Sequence, residues 1–242
     1  MACLLLLETA TDVCSAAISC NGKVIATEEK VTDVNCAAYL TLLIEACLRQ
    51  ANLSLRQLDA VAVSGGPGSY TSLRTGVSTA KGICYALDKP LLAVPTLQAL
   101  AFAAQQHIPA AHRPICYVPM LDARRQEVWL SIYSETLEPL CSAQPLIIDE
   151  DLLQHFRALA PNLPSDTVWV CAGNGMLKIP SHLWESSLIK SSISACSARY
   201  LASLANQRYA AKAWENLAYY EPFYMKPPNI TQPKKSLQTG DQ

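Results

Sequence analysis

Charge is scarce in this chain. Charged side chains make up 16% of its 242 residues, against about 25% in an average soluble protein. Half of the residues are hydrophobic, and that combination excludes intrinsic disorder, which needs low hydrophobicity and high net charge. An excess of one sign is also missing: 19 basic and 20 acidic residues leave a formal charge of −1. A protein that grips nucleic acid alone usually carries a basic excess, because phosphate neutralisation dominates that binding. No apolar run approaches the roughly 18 residues needed to span a bilayer. The opening Met1-Ala-Cys-Leu-Leu-Leu-Leu-Glu8 has no basic segment and is cut by Glu8, which argues against a signal peptide and for a cytoplasmic protein. Ten cysteines are spread along the chain without a C-x-x-C pair. They are expected to be small core hydrophobes in a reducing compartment. The four histidines, at 107, 112, 155 and 182, show no metal spacing and no H-E-x-x-H. Walker A, G-x-G-x-x-G and G-x-S-x-G motifs are absent as well. No catalytic residue and no metal ligand is predicted.

The residues that are present alternate between strand and helix patterns. Residues 3–7 form a continuous apolar run, as in a strand buried on both faces. Residues 14–20 and 23–31 flank Asn21-Gly22, the strongest short hairpin signal. Residues 37–52 have helical spacing, with Leu40, Leu43, Ile44, Cys47, Leu48 and Ala51 on one face and Tyr39, Leu42 and Ala46 on a second. A strand over 58–63, a helix over 72–87, a strand over 91–94 and a helix over 95–106 complete a first lobe. The Pro-containing stretch 107–114 reads as a joint. Beyond it the order restarts: strands at 115–121, 127–133 and 140–148, a helix at 149–159, a strand at 167–172 and a helix at 197–211. The order β-β-β-α-β therefore occurs twice, implying two α/β lobes with mixed sheets over residues 1–110 and 111–230. Residues 231–242 are expected to be a disordered tail. The cleft between such lobes is the natural ligand site.

Three places carry candidate chemistry. The richest is Ser64-Gly65-Gly66-Pro67-Gly68-Ser69-Tyr70-Thr71-Ser72-Leu73-Arg74-Thr75-Gly76. It lies between a strand end and a helix start, where free amides attract anions and glycines permit close approach. Its two readings are a phosphate- or partner-docking loop and a tight structural turn. The helix that follows carries Gly76 and Gly82, each costing about 1 kcal/mol relative to alanine; their presence suggests a closely packed neighbour. The polar turns Glu8-Thr9-Ala10-Thr11 and Asp122-Ala123-Arg124-Arg125-Gln126-Glu127 occupy equivalent places in the two lobes.

The loop over residues 64–76 resembles the signature of the bacterial TsaB (YeaZ) family, which belongs to the tRNA threonylcarbamoyladenosine synthesis machinery. Leu-Leu-Leu-Glu-Thr-Ala-Thr-Asp at 5–12, Ala80-Lys81-Gly82, Val94–Ala101, Leu121-Asp122-Ala123-Arg124, Gly173-Asn174-Gly175 and 221–226 are similar too. The match is dense in the first lobe and sparse between about 135 and 208. The resemblance implies a two-lobed actin-like (ASKHA, ribonuclease H-like) fold with duplicated β-β-β-α-β-α lobes. It implies a noncatalytic scaffold that binds and activates the catalytic paralogue TsaD and recruits the ATPase TsaE, reaching tRNA only through the complex and pairing with itself when alone. Carried onto this chain, the docking surface is Ala38, Leu42, Cys47, Leu73, Val77, Ala80, Lys81 and Cys84. Gly65, Gly66, Gly68, Ser69 and Arg74 fall at its edge as a nucleotide or interface loop. No cofactor of the chain's own is implied, ATP or ADP being a candidate for the subunit interface only. TsaD holds a metal through two histidines on its first long helix; residues 35–40 here have none, not even the single His that relatives often show near position 36. The alternative is an independent actin-like kinase or ATPase, for which Glu8 and Asp122 are the candidate carboxylates. A peptidase, a label long attached to this superfamily, has no triad or metal motif to support it.

Overall fold

A computed structural model describes residues 2–31, 36–108 and 113–224. The first sheet is built from β1 (Cys3–Glu8), β2 (Val13–Cys20), β3 (Lys23–Val31), β4 (Ala60–Ser64) and β5 (Leu91–Val94), in the order β3-β2-β1-β4-β5. The second contains β6 (Ile115–Asp122), β7 (Glu127–Leu130), β8 (Gln144–Ile147), β9 (Val168–Ala172) and β10 (Leu188–Lys190), in the order β10-β9-β6-β7-β8. Each sheet has an antiparallel meander of its first three strands followed by two parallel ones. The duplication read from the sequence is therefore a duplication of topology. Asn21 and Gly22 both take positive φ at the β2–β3 turn, as a tight hairpin requires.

Period-two alternation assigns the two faces of β1. Leu5 and Leu7 enter the core under α1 (Cys36–Ala51) and α2 (Tyr70–Leu87), while Leu4 and Leu6 enter the core shared with the C-terminal helices. The lobes also exchange helices. α3 (Thr96–His107) follows the first sheet but packs Leu97, Leu100 and Ala104 against the second, whereas α5 (Ala202–Ala210) and the short turn before it pack Leu201 and Leu204 on the first. Large apolar burial between the sheets thus ties both halves together.

Four expectations shift. The predicted strand over 127–133 ends at Leu130, and Tyr133 rejoins only through isolated bridges to Tyr117 and Pro139. β8 begins at Gln144 and accommodates Pro145 because it is an edge strand. α4 is Leu152–Leu159, shorter than the predicted 149–159, and the predicted helix over 197–211 is a 3-10 turn followed by α5. β10 is too short to have been read. Between β9 and β10, where the first lobe has α2, there are only two 3-10 turns, 174–178 and 181–183. The paired-helix layer therefore belongs to the first lobe alone among the described residues. The expected tail at 231–242 and residues 109–112 of the joint at 107–114 lie outside the described residues.

The cysteine expectation needs correction. Cys3 pairs with Cys20 across β1–β2, and Cys14 on β2 pairs with Cys36 at the start of α1, in each case because the strand register or helix docking brings the sulfurs together. Six cysteines are free, and of these only Cys141 is not buried.

Candidate functional site: a paired-helix face and a covered glycine loop

α1 and α2 lie side by side on the first sheet. α1 turns Cys36, Leu40, Ile44 and Cys47 toward the sheet; α2 turns Leu73, Gly76, Val77, Ala80 and Cys84 inward. Five of the predicted docking residues (Cys47, Leu73, Val77, Ala80 and Cys84) are therefore buried within the chain itself. The Cys47 thiol donates to Ala16 O at 3.1 Å, and burial pushes that thiol up to about 11. The reason is geometric. An apolar stripe on a helix seals the sheet first, so the more continuous stripe points inward. Ala38 and Leu42 are exposed, and Lys81 is half-buried. The outward surface is completed by residues the prediction left out: Tyr85 on α2, 84% exposed, and Tyr39 on α1, beside Leu42 at 57%. Their signal was present as a second apolar position next to each core stripe. A Cβ built on Gly82 meets nothing within 4 Å, so this glycine leaves open space on the outer face. Gly76 is the opposite case, since a Cβ there would overlap the Thr9 side chain.

The glycine loop leads from β4 into α2. Ser69 stands at the N-cap but makes no side-chain cap; its N–H donates to Ala10 O at 2.7 Å, which pins the loop to the β1–β2 turn. Gly68 is required there, because a Cβ would sit 2.5 Å from that same carbonyl. Gly66 has φ +93°, a region that favours glycine, and a Cβ on it would lie 2.5 Å from Phe223 O. Gly65 is approached by the Tyr220 hydroxyl, and its carbonyl accepts from Phe223 N at 2.8 Å. Two of the five loop residues are thus covered by the chain's own C-terminal segment. Ser69 and Arg74 are exposed, and Gly68 is half-buried. The Arg74 guanidinium lies 5.5 Å from the Tyr70 ring centre, and Tyr70 packs against Tyr224 at 4.6 Å.

At the end of β1, Glu8 is fully buried. Loss of solvation pushes its carboxyl up to about 7, against the opposing bonds from Ala10 N–H and the Ser64 hydroxyl. One of its oxygens, together with the Thr9 and Thr96 hydroxyls, has no hydrogen-bond partner among the described residues. Asp122 is tied down: Lys178 Nζ reaches it at 2.5 Å, and Arg124 N–H donates to it at 2.6 Å. Partial burial acts to raise its carboxyl, but the Lys178 contact and the Arg124 N–H outweigh that and hold it below the usual carboxylate range. Glu8 is thus enclosed with one oxygen unpartnered, and Asp122 is paired. Among the described residues no group of three or more His, Cys, Asp or Glu is placed to hold a metal ion, and no helix is long and apolar enough to cross a membrane.

A family model described as TsaD, tRNA N6-adenosine threonylcarbamoyltransferase, matches residues 30–232. The tRNA threonylcarbamoyladenosine biosynthesis protein TsaB of Haemophilus influenzae is 29% identical over 229 residues, covering 92% of this chain and 93% of that protein. A Pseudomonas aeruginosa crystal structure described as similar to peptidase YeaZ superposes with a TM-score of 0.77 at 25% identity, covering 93% of this chain and all of the other. The chain belongs to the TsaD family, on its TsaB (YeaZ) branch. A polyphosphate/ATP-glucomannokinase from Arthrobacter, with a TM-score of 0.50 at 10% identity over 88% of this chain, shares the fold alone. The expected two-lobed actin-like architecture is the observed one. Within this TsaB-type chain α1 contains no histidine and presents Ala37, Ala38 and Thr41 to the outside.

Proposed function

We propose that this chain acts in tRNA threonylcarbamoyladenosine biosynthesis as a noncatalytic scaffold. It docks the catalytic paralogue TsaD through the outer faces of α1 and α2, and the assembly recruits TsaE. The supporting observation is the exposed apolar surface of Tyr39, Leu42 and Tyr85 with open space at Gly82. Isolated exposed apolar residues are ordinary, but a run of them across two adjacent helices marks a contact surface. A stable interface buries roughly 1,600 Å² in total, and two helices of 16 and 18 residues supply a large part of one side. The same face serves for self-pairing when the chain is alone. Contact with tRNA runs through the complex. Any ATP or ADP belongs at the subunit interface, beside Gly68, Ser69 and Arg74, where a fixed guanidinium suits phosphate.

Co-purification with TsaD tests the reading, followed by tRNA modification reconstituted with and without this subunit. The double variant Leu42→Arg, Tyr85→Asp is expected to keep its fold and lose TsaD binding by at least tenfold. Full binding by that variant would place the interface elsewhere. ATP turnover by the chain alone would favour the independent ATPase.

A further inference from the structure

After α5 the described residues form no further regular element, yet residues 213–224 are not loosely laid. The N–H of Glu215 donates to Leu91 O at 2.9 Å, occupying the open edge of β5. Asn216 closes a turn by accepting from the N–H groups of Ala218 and Tyr219 with its side chain and from Tyr220 N with its carbonyl. Lys81, midway along α2, donates to Ala218 O at 3.0 Å and Tyr220 O at 3.3 Å, across more than 130 residues of sequence. Leu217 and Tyr220 pack against the first-lobe core, and Pro222 is buried. Phe223 then bonds Gly65, and Tyr224 packs on Tyr70 at the start of α2. Four separate stations on the first lobe receive ten consecutive residues.

We infer that residues 215–224 are a strap that sets the position of α2 and closes the glycine loop, and that Lys81 is a positioning residue for the docking face rather than a contact within it. α2 is gripped at its first residue and at Lys81, which lies next to Gly82 and one turn before Tyr85 on the outer face. Lys81 is suited to this because its long stem lies along the helix while three donors satisfy carbonyls that have no strand partner. Proline at 222 lowers the entropy the strap loses on docking. Without the strap, the β5 edge and the Gly65 carbonyl are uncovered, and α2 keeps its inner stripe, its packing beside α1 and the Ser69 bond to Ala10. The consequence for docking rests on the scaffold reading; the strap itself does not.

Hydrogen exchange on the full chain and affinity for TsaD together test the inference, using Lys81→Met, Lys81→Arg and Leu42→Arg. Lys81→Met keeps the stem and removes the donors. It is expected to raise exchange at least tenfold at 217–223 and to raise exchange in the first turns of α2, with cooperative unfolding retained. TsaD affinity is expected to fall about tenfold. Lys81→Arg, which restores donors, is expected to recover most of both. Leu42→Arg is expected to lose affinity with strap protection unchanged. Unchanged protection at 217–223 in Lys81→Met would overturn the strap. Raised exchange with unchanged affinity would overturn the positioning role. If the unmodified chain fails to bind TsaD, the scaffold reading falls while the strap is judged by exchange alone.

Discussion

Replacing Glu8 by Gln isolates the cost of a buried carboxyl at the end of β1. Glu8 is completely enclosed, and burial holds its carboxyl at about 7 instead of the ordinary 4.5. The folded state therefore keeps a proton that the unfolded chain releases. A raised acid stabilises the fold fully below the unfolded value, and that contribution is lost as pH climbs through the folded one. The window is pH 4.5 to 7. At 1.36 kcal/mol per pH unit the loss amounts to about 3 kcal/mol. Gln cannot ionise, and its carbonyl oxygen can still accept the Ala10 N–H that Glu8 Oε1 accepts at 2.6 Å. Urea unfolding of both proteins at pH 5 and pH 8 gives the answer as a difference of differences, in which the other titrating groups cancel. Because pH 5 already lies half a unit inside that window, the gap between variant and parent should move by about 2.5 kcal/mol in favour of Glu8→Gln on going to pH 8. An unmoved gap would mean that the carboxylate finds solvent or a cation, and the enclosed-site account would be wrong.

Two further perturbations follow from the same geometry. Gly82→Ala should stabilise the isolated chain by about 1 kcal/mol, through helix propensity with no clash. Gly76→Ala should destabilise it by about 1–3 kcal/mol by overpacking against Thr9; equal effects in urea unfolding would contradict the contrast between the two sites. Alkylation in denaturant without reductant should label six thiols, with ten labelled after reduction, as read by intact mass. Ten labelled from the start would restore the view that all the cysteines are reduced.

Most of the fold was legible because it is written in local periodicity. Two-faced burial of β1, the Asn21-Gly22 turn and the helical spacing from Leu40 to Cys47 each follow from short-range patterns. Where readings drifted, a distant contact decided. Residues 131–133 have strand-like composition but leave the ladder after Leu130, and α4 loses its first turn to Asp149 and Glu150, which face His155 and His182. The strap was unreadable, since its hydrogen bonds go to β5, α2 and the glycine loop and leave no period in the sequence.

The candidate site divides along the same line. Composition and motif spacing alone determined a two-lobed α/β chain without a metal or nucleophile motif and with two apolar-faced helices beside a glycine loop. Which face of those helices is outside, what covers Gly65 and Gly66, and that Glu8 is sealed from water were decided only by tertiary structure. Amphipathicity states that a helix has a side to bury, but the sheet, the neighbouring helix and a segment some 150 residues away compete for that side, and only their packing together settles which one takes it.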